Sequence, residues 1–130
     1  MKGDFITNNK IIFDSVIFDT ENNTITILNG SEGTYSYKNI VKCNILNEKA
    51  KYHGKDIPFL ATIPNGPLGG GSMWEFQIYV GLKLTMSDNT ILAIYTSKKA
   101  TTINTDIHIK DINEVKKIKK TIDKIIKKYQ

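Results

Sequence analysis

Arginine is absent from the 130 residues; all eighteen basic side chains are lysine. Arginine supplies the planar fork that grips phosphates and guanine edges bidentately, so its absence argues against sequence-specific nucleic-acid reading. A single cysteine, Cys43, excludes an internal disulfide and fits a reducing, cytoplasmic setting. Histidine is nearly as scarce. His53, in a charged stretch, and His108, between isoleucines, do not combine with Cys43 into a ligand spacing or a thiol–base pair, so no metal, cofactor or catalytic residue is expected. Gly69-Gly-Gly-Ser72 is not followed by Gly-Lys-Ser/Thr or by a helical pattern, which removes the phosphate-cradle reading. The uncharged stretch Ile57 to Met73 is broken by three prolines and four glycines and cannot span a membrane as a helix. The first residues, Met1-Lys2-Gly3-Asp4-Phe5, lack the apolar stretch of a secretory signal.

What is present is ordinary for a globular protein: 40% hydrophobic and 24% charged residues. The length suits one domain, residues 1–130, able to bury about two-thirds of its unfolded surface. Charge is unevenly placed. Through Ile109 ten lysines meet ten acids, and from Lys110 onward eight lysines meet three, so the net charge of +5 falls in the last segment. There Ile112, Val115, Ile118, Ile122, Ile125, Ile126 and Tyr129 recur at helical spacing over an arc of roughly 140°, enough to cover a core. Asp111 with Glu114 reads as a capping box and sets the helix at 111–129.

Everything before that helix reads as strands. After a loose lead-in over residues 1–9, Ile11-Ile-Phe13 and Val16-Ile-Phe18 flank Asp14-Ser15. The polar turn Thr20-Glu-Asn-Asn23 leads into the alternating Thr24-Ile-Thr-Ile-Leu28. Thr34 to Tyr37 and Ile40 to Leu46 extend further. Residues 47–73 lose pattern and read as an irregular insert, a stretch that in a small domain is functional or disordered. Residues 75–96 form a hairpin around Ser87-Asp-Asn89, and Ile107-His-Ile109 adds a short edge strand. The fold class is therefore mainly β, with about seven antiparallel strands in a bent sheet or partly open barrel, capped by one helix.

In this outline, the hairpin Val16-Ile-Phe-Asp-Thr-Glu-Asn-Asn-Thr-Ile-Thr-Ile27, the Tyr37-Lys-Asn-Ile40 lead-in, the hairpin Val80 to Tyr95 and the lysine-rich terminal helix are similar to bacterial pleckstrin-homology-like (PH-like, GRAM-like) domains. The resemblance covers about 110 residues and implies a scaffold that binds proteins, peptides or lipid headgroups and seldom catalyses. Lipid-binding members carry basic residues around the first hairpin loop. Here Thr20-Glu21-Asn22-Asn23 has an acid and no base, which argues against phosphoinositides.

Two surfaces stand out as contact candidates. Lys116, Lys120, Lys124, Lys127 and Lys128 gather on the polar face of the helix, and the i, i+4 like-charge ladder costs a few tenths of a kcal/mol per pair. Such a face suits an anionic partner, with a solvated surface as the plain alternative. Leu68, Met73, Trp74 and Phe76 flank the Pro/Gly loop and would form a protein-contact patch if exposed. The sequence thus points to a non-catalytic module with a protein partner or self-association. A membrane surface is the weaker partner, because the apolar helix face is needed for the core. The alternative is a carrier or sensor of a small ligand or lipid headgroup; a small enzyme using the 47–73 insert comes third.

Overall fold

The computed structural model describes residues 5–7, 9–50, 53, 62–63, 77–102 and 105–129. Two antiparallel sheets of five strands pack with one C-terminal helix, and neither sheet closes into a barrel. The first sheet is a simple meander of β1 (Phe5–Thr7), β2 (Lys10–Ile12), β3 (Val16–Asp19), β4 (Thr24–Ile27) and β5 (Gly33–Ser36). A 3-10 turn, Tyr37–Asn39, leads into the second sheet. Its long strands β6 (Ile40–Lys49) and β8 (Gln77–Met86) pair along nearly their whole length. β7 (Thr62–Ile63) lies on the outer edge of β6, while β9 (Ile91–Tyr95) and β10 (Thr101–Thr102) both lie along β8. The helix, α1, runs from Asp106 to Lys128.

Ten strands stand among the described residues where about seven were expected, and the additional ones are the shortest. β1 occupies part of the supposed lead-in, β7 part of the insert, and β10 the polar link before the helix. Two or three residues cannot show a period, so pairing alone reveals them. β6 also continues through Asn47-Glu48-Lys49 into the insert. Both Asn47 and Glu48 are fully buried, and burial of polar side chains erases the alternation that marks a strand.

The helix begins five residues earlier than the capping-box reading placed it. Thr105 is the N-cap, its side-chain oxygen accepting from the His108 N–H at 3.3 Å. Ile107-His108-Ile109 is therefore the first helical turn and not an edge strand. Its period-two spacing is misleading because the two isoleucines are half exposed and the histidine faces inward. Asp111 caps nothing; its carboxylate accepts from the Ser97 hydroxyl at 2.8 Å, fastening the helix to the β9–β10 link.

One core unites all three layers: Phe18, Ile25 and Ile27 of the first sheet, Val80, Leu82, Leu84 and Ile94 of the second, and Val115, Ile118, Ile122 and Ile125 of the helix. Tyr129, expected on that inward face, is 42% exposed instead. The sheets are joined where the chain leaves β4. Gly30 bridges Ile94, Ser31 N–H donates to the Ala93 carbonyl at 2.8 Å, and Tyr95 N–H donates to the Asn29 carbonyl at 2.9 Å. Asn29 Nδ2 adds a bond to the Tyr95 carbonyl at 2.9 Å. At φ +129° a Cβ on Gly30 would overlap the Ala93 carbonyl oxygen, so only glycine permits the approach. Gly30→Ala is expected to lower stability by on the order of 3 kcal/mol, read from the urea midpoint at unchanged m-value.

Candidate functional site

The polar face of α1 displays its charge openly. Lys116, Lys120, Lys124, Lys127 and Lys128 are all exposed, while Lys119 is taken up by an i, i+4 pair with Asp123 at 2.6 Å. The opposite face is consumed by the core, so the helix stays folded despite its like-charge ladder. Lysines in the last turns also oppose the negative end of the helix dipole.

Beside the C-terminal half of that face lies a cleft of about 210 Å³. Ile11 of β2, Tyr37 of the 3-10 turn and Ile125 of α1 give it an apolar lining, with Thr20, Asn23 and Thr121 between them. Lys124 and Lys128 stand on its rim. Its walls are fixed by local chemistry. The Asp19 carboxylate accepts from Glu21 N–H, Asn22 N–H and Asn22 Nδ2, and these bonds, Asn22 foremost, hold its pKa below the ordinary carboxylate value. That closes the β3–β4 turn with Asn23 at φ 55°. Asn23 in turn accepts from Tyr37 N–H at 2.9 Å, tying the turn to the residue that lines the cleft. Burial pushes the Tyr37 phenol up to about 12, with Asp19 and Tyr129 adding to the effect.

A second cleft, of about 440 Å³, sits at the other end of the helix and is lined by Asp14, Thr96, Lys98, Lys99, Ile107, Lys110, Asp111 and Glu114. Burial raises the pKa of Asp111, against the Ser97 hydrogen bond. Burial likewise raises that of Glu114, helped by the negative charges of Asp14 and Asp111.

A third arrangement, on the outer face of the second sheet, has no counterpart among the residue patterns. Glu48 lies opposite Tyr79 in the β6–β8 register, directed away from the main core. Its Oε1 accepts from the Tyr95 hydroxyl at 2.9 Å and lies 2.8 Å from His53 Nδ1. The imidazole stacks on Tyr79 with ring centroids 3.6 Å apart and meets Tyr95 edge-on. Burial, followed by the bond to Glu48 and its charge, raises the Tyr95 pKa. The cluster anchors the turn after β6, where His53 N–H donates to the Ala50 carbonyl. Only the pairing of a buried acid with aromatic neighbours across two strands could have signalled it, and that requires the register.

The other chemically notable residues are dispersed. Cys43 is buried, and burial pushes its thiol up to about 12, so it carries the character of a small hydrophobe. His108 is buried with Nε2 3.4 Å from Asn47 Oδ1, on the core side of the sheet, and burial lowers its pKa against the pull of Asp111. His53 meets Glu48 and His108 meets Asn47, and among the described residues no three His, Cys, Asp or Glu groups converge to hold a metal ion. Leu68, Met73, Trp74 and Phe76 lie outside the described residues.

Two outcomes follow from these environments. Glu48→Ala leaves the Tyr95 hydroxyl without its acceptor and is expected to cost about 2 to 3 kcal/mol; a double-mutant cycle with Tyr95→Phe should show coupling above about 0.5 kcal/mol in denaturant titrations. Glu114 keeps its proton to higher pH in the folded than in the unfolded chain, so its contribution to stability falls as pH rises through that window. Glu114→Gln should therefore raise the Tm at neutral pH and change it little near pH about 3, where both forms of the wild type are protonated. No family model matches the chain, and no curated protein or solved structure matches it either.

Proposed function

We propose that the chain is a non-catalytic binding module of the PH-like kind, which contacts an acidic surface of a protein partner in the cytoplasm of a bacterium. The observation that carries this reading is the exposed lysine face of α1. Through Ile109 lysines and acids balance, whereas the segment from Lys110 onward carries the whole +5, with Lys116, Lys120, Lys124, Lys127 and Lys128 all exposed. Such a field attracts and orients an anionic surface and raises association rates. A protein suits it better than a bilayer, because the apolar side of α1 is spent on the core and no helix among the described residues is long and apolar enough to cross a membrane. The PH-like resemblance, an antiparallel scaffold closed by a terminal helix, supports a binding role. The single buried cysteine fits a reducing interior, and the wealth of lysine, isoleucine and asparagine fits an AT-rich bacterial coding sequence.

A second reading, a carrier or sensor of a small ligand, draws on the polar cleft formed by Asp14, Thr96, Lys98, Asp111 and Glu114. It lies against the first turns of the helix. Mixed charge there suits a zwitterion, but the cleft is open and its lysines are exposed to solvent, so it ranks below the helix face.

The test is binding to an immobilised poly-glutamate peptide over a range of salt. Lys116→Gln, Lys120→Gln and Lys124→Gln together should weaken binding about fivefold or more and flatten its salt dependence. A control with Lys38, Lys42 and Lys83 changed to Gln carries the same net charge and should bind like the wild type. Equal loss in both triple variants would reduce the helix face to bulk charge and defeat the reading.

A further inference from the structure

We infer that the cleft between Tyr37 and Ile125 is the anchor point of this module: it takes one large apolar side chain of an acidic partner segment, whose adjoining carboxylate meets Lys124, Lys128 and the Tyr37 hydroxyl. This deepens the reading of the helix as an acidic-partner surface and rests on it. Three independent features converge at the spot. The cleft, about 210 Å³, holds a single leucine or phenylalanine side chain and little more. Its rim carries two exposed ammonium groups one helical turn apart, at the end of the lysine ladder. And Tyr37, 5% exposed, lines the cleft with a hydroxyl that has no hydrogen-bond partner among the described residues.

The last feature adds a polar donor to the apolar lining. A buried tyrosine normally finds a partner for its hydroxyl, and the only sealed, partnerless side-chain atom among the described residues is Ser15 Oγ. The Tyr37 hydroxyl is therefore reachable from the cleft, where it can donate to an arriving carboxylate. Tyr129, 42% exposed, is near enough to influence Tyr37. The site is also pre-organised. Asp19 locks the turn and Asn23 holds Tyr37, so binding need not order the walls. An acidic segment without an apolar residue would use the lysines and leave the cleft unfilled. A purely apolar one would leave the ammonium groups and the phenol unmatched.

The experiment measures anisotropy of a short fluorescein-labelled peptide of glutamates around one central phenylalanine, against the same peptide with alanine at the centre. Phosphatidylglycerol vesicles and duplex DNA serve as competitors. The alanine peptide should bind about tenfold more weakly or worse, the loss expected for an unburied aromatic side chain. Tyr37→Phe keeps the ring and the fold, checked by an unchanged melting profile, and should weaken the phenylalanine peptide several-fold. Lys124→Glu with Lys128→Glu should abolish measurable binding. If both peptides bind equally and Tyr37→Phe changes nothing, while Lys116→Gln and Lys120→Gln still weaken binding, the cleft is overturned and the acidic-partner reading stands. If vesicles or DNA bind and neither peptide does, both are overturned.

Discussion

The absence of one β-carbon holds the architecture together. Gly30 lies so close to the Ala93 carbonyl that any side chain would collide, and through that approach the end of the first sheet is stitched to β9 of the second. Without the stitch, Ile25 and Ile27 would not face Leu82 and Ile94, and the helix would have two half-cores to cover in place of one. The neighbouring bonds from Asn29 and Ser31 give β9 partners along an edge that would otherwise present unpaired backbone. Glycine at this point is thus a packing requirement, and its conformational freedom is a secondary benefit.

The helix depends on that unified core in turn. Val115, Ile118, Ile122 and Ile125 join the core that both sheets share, and the attachment of the helix is completed at the N-terminal end by polar fasteners. Thr96 donates to the Asp111 carbonyl at 2.9 Å, Ser97 donates to the Asp111 carboxylate, and the same serine oxygen accepts from Val80 N–H at 2.8 Å. Partly buried hydrogen bonds of this kind fix the rotation of a helix more than they stabilise it. Fixing the rotation decides which lysines look outward, and so a structural device at one end of α1 sets the electrostatics of the other.

Much of this was legible in the residues. Long periodic segments announced β3, β4, β8, β9 and the helix, because each buries one face against the same core. What escaped notice had a physical cause in each case. β1, β7 and β10 are too short for a period to develop. Ile107 and Ile109 imitate a strand because hydrophobic residues can stand half exposed at no structural cost when their neighbours are polar. Glu48 looked like the start of a charged insert because a buried carboxylate is recognisable only from its partners, and Tyr95 lies 47 residues away. The lysine face of the site could be read from spacing alone. The cleft beside it could not, since Ile11, Tyr37 and Ile125 meet only through tertiary packing.

The two faces of α1 separate stability from recognition. Replacing a lysine on the outer face disturbs no core contact, so that surface can vary its charge freely, whereas Val115, Ile118 and Ile122 cannot vary without opening a cavity. The cleft lies at the border between these regimes. Ile125 belongs to the core and also lines the cleft, and Tyr37 packs in the core while its hydroxyl lacks a partner among the described residues. A contact made there couples to the packing of the whole domain, and a contact made only on Lys116 or Lys120 does not. That difference gives the border residues a physical claim to specificity that charge alone, being long-ranged and indifferent to shape, does not possess.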